Sequence, residues 1–240
     1  MAEIPAASVS VVMPVLNEAA ALPAALAALT SWRAAGTEII VADGGSTDAS
    51  AAIAAEAADC IIAPRGRARQ MNAAAAHAKG DILLFLHADT RLPSDALTAV
   101  RAARAHGARW GFFALAIEGS HPMLRVVARL ATWRSRLSHI ATGDQAIFVA
   151  RELFAEIGGF PDIPLMEDIA LSRRLRARSR PARLRLHATT SGRRWERYGA
   201  ARTIFLMWRL RLAYAIGVAP ERLARRYDEV RARSKSCPPR

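Results

Sequence analysis

The first 106 residues switch repeatedly between two rhythms of apolar and polar positions. SVSVVMPV, residues 8 to 15, is a β-branched run closed by Pro14, and the Ala/Leu-rich stretch 19 to 33 has helical spacing. The alternation returns with a strand over 38–42, a turn from Asp43 to Asp48 and a helix over 49–58. It continues with a short strand from Cys60 to Ala63, a helix over 67–79, a strand over 81–87 and a helix over 94–106. Apolar strands alternating with helices predict an α/β fold, a mostly parallel sheet flanked by helices on both faces.

After Gly107 the rhythm changes. A strand is expected over 110–118, a helical or irregular segment over 122–137, a short strand over 145–149 and a helix over 151–157. PLMEDIALSRRLRARS opens a further helix, RLRLHATT has the form of a strand or extended segment, and 199–216 and 220–234 have helical spacing. No internal repeat and no Gly/Ser linker divides the chain. The organisation expected is one α/β domain over 8–190, with a helical, basic C-terminal extension over 191–240 packed on it.

Composition adds a size and a polarity. The 240 residues, 52% hydrophobic and 23% charged, are enough for a substantial core. The net charge of +13 is lopsided: Lys and Arg outnumber Asp and Glu by 20 to 4 over residues 173–240, against 14 to 17 over residues 1–172. Such asymmetry suits an anionic partner, whether phospholipid, a diphosphate-bearing substrate or nucleic acid, and equally a solvated Arg-rich helical surface. Cys60 and Cys237 form no CxxC pair, and the first twenty residues carry no secretory leader, so cytoplasmic residence is expected.

Ligands of doubly wound sheets bind beyond the carboxyl ends of the strands. Those ends deliver PVLNE, ADGGSTD, PRGRARQMN and HADT, and four polar ends together make a pocket. There is neither GxGxxG nor GxxxxGK[ST], so neither a dinucleotide fingerprint nor a P-loop is present. Asp43 suits a base or ribose edge, with Gly44 and Gly45 allowing close approach, or else an ordinary turn with Asp and Ser side chains capping the next helix; Asp48 reads as a turn residue. Arg65, Arg67 and Arg69 near a helix start suit phosphates or form a solvated basic turn, with Gln70 and Asn72 as polar contacts on the same turn. In LLFLHADT, a carboxylate at the strand's end can hold a divalent cation, since magnesium needs one or two protein carboxylates. The later pair Glu167 and Asp168, at a helix start, either complements the helix dipole or supplies a general base.

In order and spacing, VSVVMPVLNE, EIIVADGGSTD, RGRARQMNAAAAHAKGD, LLFLHADT, GDQAIFV and GGFPDIPLMEDIALSRRL resemble family 2 glycosyltransferases of the GT-A, Rossmann-like fold, over roughly residues 8 to 180. HADT, PLMEDIALSRRL and TTSGRRWERYG are similar to a small bacterial subgroup associated with arsenosugar biosynthesis or radical-SAM gene neighbourhoods. The resemblance implies that Pro14, Asn17, Glu18, Asp43 and Gly44 lie at the donor nucleotide, with Arg69 and Asn72 near it or its phosphates. Asp89 matches the second Asp of the DxD motif, at the cation, while His87 replaces the first, a ribose or sugar contact. Asp168 becomes the catalytic base, Glu167 its neighbour, and Gly143, Asp144 and Gln145 line the acceptor side. Arg193, Arg194 and Trp195 resemble a QxxRW motif that lacks its Gln, so Arg194 and Trp195 are expected at the diphosphate or acceptor. His187 is either a further metal ligand or structural.

The implied reaction is an inverting transfer from a nucleotide-diphosphate sugar to an acceptor hydroxyl, with Mg2+ or Mn2+ as cofactor. A nucleotidyltransferase, the first rival, would want a Gly/Lys/Arg-rich loop where this chain has PVLNEAAAL. A nucleic-acid binder leaves the acidic strand ends without purpose, and a non-catalytic sugar-nucleotide binder is the remaining alternative. GAARTIFLMWRLRLAYAIGV, 199 to 218, is interrupted by Arg209 and Arg211 and is not expected to span a bilayer. It would pack on the domain, form a homodimer contact, or lie peripherally on an anionic membrane if the acceptor is a lipid and not a small molecule.

Overall fold

The computed structural model describes residues 7–193 and 199–235. An eight-stranded sheet runs in the order β3-β2-β1-β4-β7-β6-β8-β5. Its strands are β1 Val9–Val15, β2 Glu38–Asp43, β3 Asp59–Ile62, β4 Ile82–Phe85, β5 Thr90–Arg91, β6 Trp110–Glu118, β7 Phe148–Ala150 and β8 Ala182–Ser191. Period-two alternation divides their side chains between two cores. Val9, Val11, Met13, Val15, Ile39, Val41 and Leu84 face α1 (Leu22–Ala27), α2 (Thr30–Ala34), α3 (Ser50–Ala57) and α5 (Ala96–Ala105). Val12, Ile40, Leu83 and Phe85 face α4 (Arg67–His77), α7 (Arg151–Glu156) and α8 (Glu167–Arg176). Burial on both faces is why β1, β2 and β4 read as unbroken apolar runs.

The sheet is mixed, with parallel pairings in the majority, in line with the α/β fold expected. Four pairings are parallel (β1 with β2, β1 with β4, β2 with β3, β6 with β8), and three are antiparallel (β4 with β7, β6 with β7, β5 with β8). The reversal follows from how β7 is entered. From β6 the chain passes through a helix over Met123–Ser138 and a 3-10 turn, Gly143–Gln145, and returns along β6 in the opposite direction. That turn occupies part of the strand expected over 145–149.

The helix expected over 19–33 is two helices. At Leu29 the backbone N–H bonds the carbonyl of Leu26, three residues back, so the helix tightens for one turn. Leu22, Leu26, Leu29 and Trp32 all reach the core across that junction. RLRLHATT belongs to β8, which lies parallel to β6 with His187 opposite Ala114.

Three helices border the other end of the sheet: α6 (Met123–Ser138), α9 (Ala200–Ala215) and α10 (Pro220–Lys235). Leu210 of α9 and Leu223 of α10 close a third core with Ile140, Met166 and Ile169. Among the described residues no helix is long and apolar enough to cross a membrane.

Candidate active site

The loops after β1 and β2 are stapled together. Asn17, in the left-handed region at φ 55°, donates its N–H to Ser46 Oγ at 2.9 Å, and its Oδ1 accepts from Thr47 N–H at 2.8 Å. Glu18 N–H reaches Ser50 Oγ at 2.8 Å, and Ala19 N–H reaches Asp48 Oδ2 at 3.1 Å. Asp43 is buried and accepts from the N–H groups of Gly45 and Ser46 and from the Ser46 hydroxyl, so it shapes the turn itself. Hydrogen bonds, led by the Ser50 hydroxyl, hold the Asp48 carboxyl below its ordinary range, as befits a turn residue. Pro14 is half-buried in β1 opposite Ala42. Gly44 has a packing reason: a Cβ there would stand 2.9 Å from Cδ of Gln70. The Gln70 amide is itself buried, donating to the carbonyls of Val15 at 2.7 Å and Ala42 at 2.8 Å.

The first turns of α4 hold the loop that leads into α8. Arg69 pairs with Asp162 at 2.8 Å, and Asn72 exchanges two 2.9 Å hydrogen bonds with the backbone of Phe160. Arg67 donates to Glu167 Oε1 at 2.9 Å; its side chain is half exposed, whereas Glu167 is 2% exposed. Arg69 and Asn72, expected near the nucleotide or its phosphates, both hold this loop. Burial pushes the Glu167 carboxyl up, opposed by Arg67 and reinforced by Asp168. Desolvation works against the Arg67 charge, but Glu167, Asp168 and Asp144 outweigh it and hold the guanidinium firmly protonated.

At the next ends HADT, GDQ and ED converge. The His87 ring packs against Gly143, where an added Cβ would collide with its Cε1, and its Nδ1 is 3.6 Å from Asp144 Oδ1. Gly143 N–H donates to Asp168 Oδ2 at 2.8 Å, and Asp168 Oδ1 accepts from Ile169 N–H at 2.7 Å. Gln145, fully buried, receives the Ser135 hydroxyl at 2.7 Å and donates to the Phe113 carbonyl at 3.2 Å. Two buried non-glycine residues here take left-handed backbone: Ala146 at φ 46°, after the turn, and Met166 at φ 69°, before Glu167. Backbone strain of this kind persists where the surroundings over-determine it.

Asp89 and Asp144 line one cavity of about 470 Å³ between α6, β6 and α9. Asp89 also borders a second cavity, of about 360 Å³, shared with Ala88, Arg91, Ser191 and Arg193. Among the described residues no three His, Cys, Asp or Glu side chains gather as a metal cage. The donors present still fit a hard cation that keeps phosphate and water oxygens, because that chemistry asks for only one or two carboxylates. His187 is not brought to Asp89. It is exposed on β8, four residues before Ser191, whose N–H binds the Asp89 carbonyl. Arg194 and Trp195 lie outside the described residues. Sequence reading did not place Arg134 and Arg211, which line the larger cavity, at the site; each is one of several arginines in its helix, and nothing in the spacing singles it out.

Residues 10–112 match Glycosyl transferase family 2. No curated protein gives a sequence match. Among solved structures, S. aureus TarS 1-349 in complex with UDP-GlcNAc is 16% identical with a TM-score of 0.58, covering 76% of this chain and 58% of that one. Mannosyltransferase PcManGT from Pyrobaculum calidifontis, with GDP-Man and Mn2+, is 21% identical with a TM-score of 0.58, covering 78% and 57%. Glucosyl-3-phosphoglycerate synthase from Mycobacterium tuberculosis, with Mn2+, UDP and glucosyl-3-phosphoglycerate, is 21% identical with a TM-score of 0.57, covering 75% and 70%. The chain spans about 60% of the length of TarS 1-349. The shared α/β frame is that of GT-A glycosyltransferases, and within it residues 10–112 are similar to glycosyl transferase family 2.

Proposed function

We propose that this protein transfers a sugar, with inversion, from a nucleoside-diphosphate sugar to an acceptor hydroxyl. The observation that carries the reading is the convergence of His87, Gly143, Asp144 and Asp168 from three separate chain segments onto one strand-end junction. Asp168 is oriented by two N–H donors at 2.7 and 2.8 Å, and it stands at the N-terminal turn of α8. It takes the acceptor's proton as the acceptor oxygen attacks the anomeric carbon and the nucleoside diphosphate leaves. Glu167, buried and tied to Arg67, positions the helix start and is not itself the base. Asp89, with Asp144 beside the same cavity, would hold a magnesium or manganese ion, whose charge neutralises the diphosphate when bound. The resolved homologous complexes with Mn2+ support that choice. The HADT and PLMED forms support membership of the arsenosugar and radical-SAM-associated subgroup, and the basic C-terminal region supports a cytoplasmic protein peripheral to the membrane.

Calorimetry against a panel of nucleotide sugars with Mg2+ or Mn2+ identifies the donor, and Asp168→Asn tests the base. Turnover should fall by about 10²- to 10⁴-fold with donor affinity within about threefold. An Asp168→Asn enzyme with near-normal turnover would sink the assignment.

A further inference from the structure

Two helices carry almost all the large apolar side chains exposed among the described residues, Ile62 being the one elsewhere. On α6 they are Met123, Val126, Leu130, Trp133 and Leu137, recurring every three or four positions. On α9, Phe205, Trp208, Leu212 and Ile216 do the same, each 64% exposed or more. Such spacing gathers each set on one helix face. Both faces border the larger cavity, whose walls include Trp133, Leu137 and Trp208 and also Asp89 and Asp144. Contiguous apolar surface of this kind marks an interaction site.

The same cavity is lined by two arginines whose donors are not all used. Arg134 and Arg211 both line it, and the Nε of each is buried without a hydrogen-bond partner. The Arg134 fork has one bond, Nη2 to Ser135 Oγ at 3.1 Å. Burial, with repulsion from Arg211, brings the Arg134 guanidinium down to about 10, and Asp168 only partly opposes this. Two guanidinium groups on one cavity, each with a buried Nε left unpaired, suit an anion with several acceptor oxygens.

We propose that this cavity takes the acceptor as a phospholipid with a hydroxylated head group: acyl chain between the faces of α6 and α9, phosphate on Arg134 and Arg211, and hydroxyl directed past Asp144 toward Asp168, which lies behind the cavity wall on the Gly143 N–H. The inference rests on reading Asp168 as the base. The head-group oxygen forms its bond to the anomeric carbon, the carbon–oxygen bond to the diphosphate breaks, and the proton passes to Asp168. A second copy of the chain is the poorer occupant, because a two-fold interface would set these arginines against their own copies. Nucleic acid would leave the apolar faces uncovered. A bilayer covers those faces and answers the excess of 20 basic over 4 acidic residues in 173–240.

The test uses the full chain without donor, with vesicles of phosphatidylcholine alone or with added phosphatidylglycerol or diacylglycerol. Binding should favour phosphatidylglycerol over both others, with brominated acyl chains quenching the fluorescence of Trp133 and Trp208. Arg134→Gln with Arg211→Gln should weaken phosphatidylglycerol binding at least tenfold at 0.5 M salt. The equal charge change at exposed Arg225 and Arg226 of α10 should weaken it less than twofold, with unchanged circular dichroism in both variants. Equal losses in the two pairs, equal binding of diacylglycerol, full competition by inorganic phosphate, or burial of Trp133 and Trp208 by self-association without vesicles would each overturn the proposal. Because donor is absent, lost lipid binding beside intact hydrolysis of a nucleotide sugar overturns this inference alone; intact lipid binding in a chain that turns over no donor overturns the transferase reading instead.

Discussion

Gly143→Ala is the sharpest test of the junction. The added Cβ would stand 2.3 Å from His87 Cε1 and 2.7 Å from Nε2. Ordinary carbon contacts lie at about 3.5–4.0 Å, so ring and turn must separate by about 1.3 Å. Gly143 itself has no positive φ, so the cost is contact and not backbone strain. If the turn yields, a shift of that size ruptures the 2.8 Å bond from Gly143 N–H to Asp168, a charged hydrogen bond worth about 1.5–3 kcal/mol. If the ring yields, overpacking costs about 1–3 kcal/mol. We expect a loss of about 2 kcal/mol in urea denaturation, seen in the midpoint with an unchanged m-value. In a His87→Ala background the ring is gone, and the same substitution should cost less than about 0.5 kcal/mol, a coupling of about 1.5 kcal/mol. An equal cost in both backgrounds would refute the argument that His87 and Gly143 are fitted to each other.

Arg67→Gln removes the cation beside a buried carboxylate. Because Arg67 is half exposed, the cost should be about 2 kcal/mol at neutral pH, below the roughly 3–5 kcal/mol of a fully buried pair. Glu167's carboxyl is already raised in the folded state, so its contribution is fully present below the ordinary glutamate value and is lost as pH rises through the folded value. Without Arg67 that value rises further, so the gap between variant and parent should be wider at pH 8 than at pH 5; thermal melts at the two pH values check this. Gln70→Leu leaves the buried carbonyl of Ala42 without its side-chain donor and should cost about 1–3 kcal/mol in the same melts. Trp110→Phe abandons the 2.9 Å bond from indole Nε1 to the Ser179 carbonyl and opens space in a fully buried site, for about 1–3 kcal/mol by urea denaturation.

Much of the frame is legible in the sequence because it is local. β1, β2 and β4 each carry a run of apolar residues long enough to show burial on both faces, and α4 and α5 follow with helical spacing. β5 and β7 escape such reading, since two and three residues hold no periodicity. Strand direction escapes it too: nothing in FVA says that β7 runs against β4. At the site, Asp89, Asp144 and Asp168 stand out as polar ends, but their partnerships are long-range. The close contact of His87 on Gly143 and the clasp of Arg67 on Glu167 depend on how distant segments are brought together. Asn72 shows the same from the other side: its amide binds a backbone carbonyl 88 positions away, a partnership no local pattern announces.

The turn GDQ has three addresses in three residues. A 3-10 turn has about three residues per turn, so successive side chains leave it about 120° apart. Gly143 meets His87 and Asp168, Asp144 enters the cavity, and Gln145 reaches back to α6 and β6. A point substitution redirects one of these. Inserting or deleting a single residue rotates all of them, so this turn should tolerate changes of letter far better than changes of length.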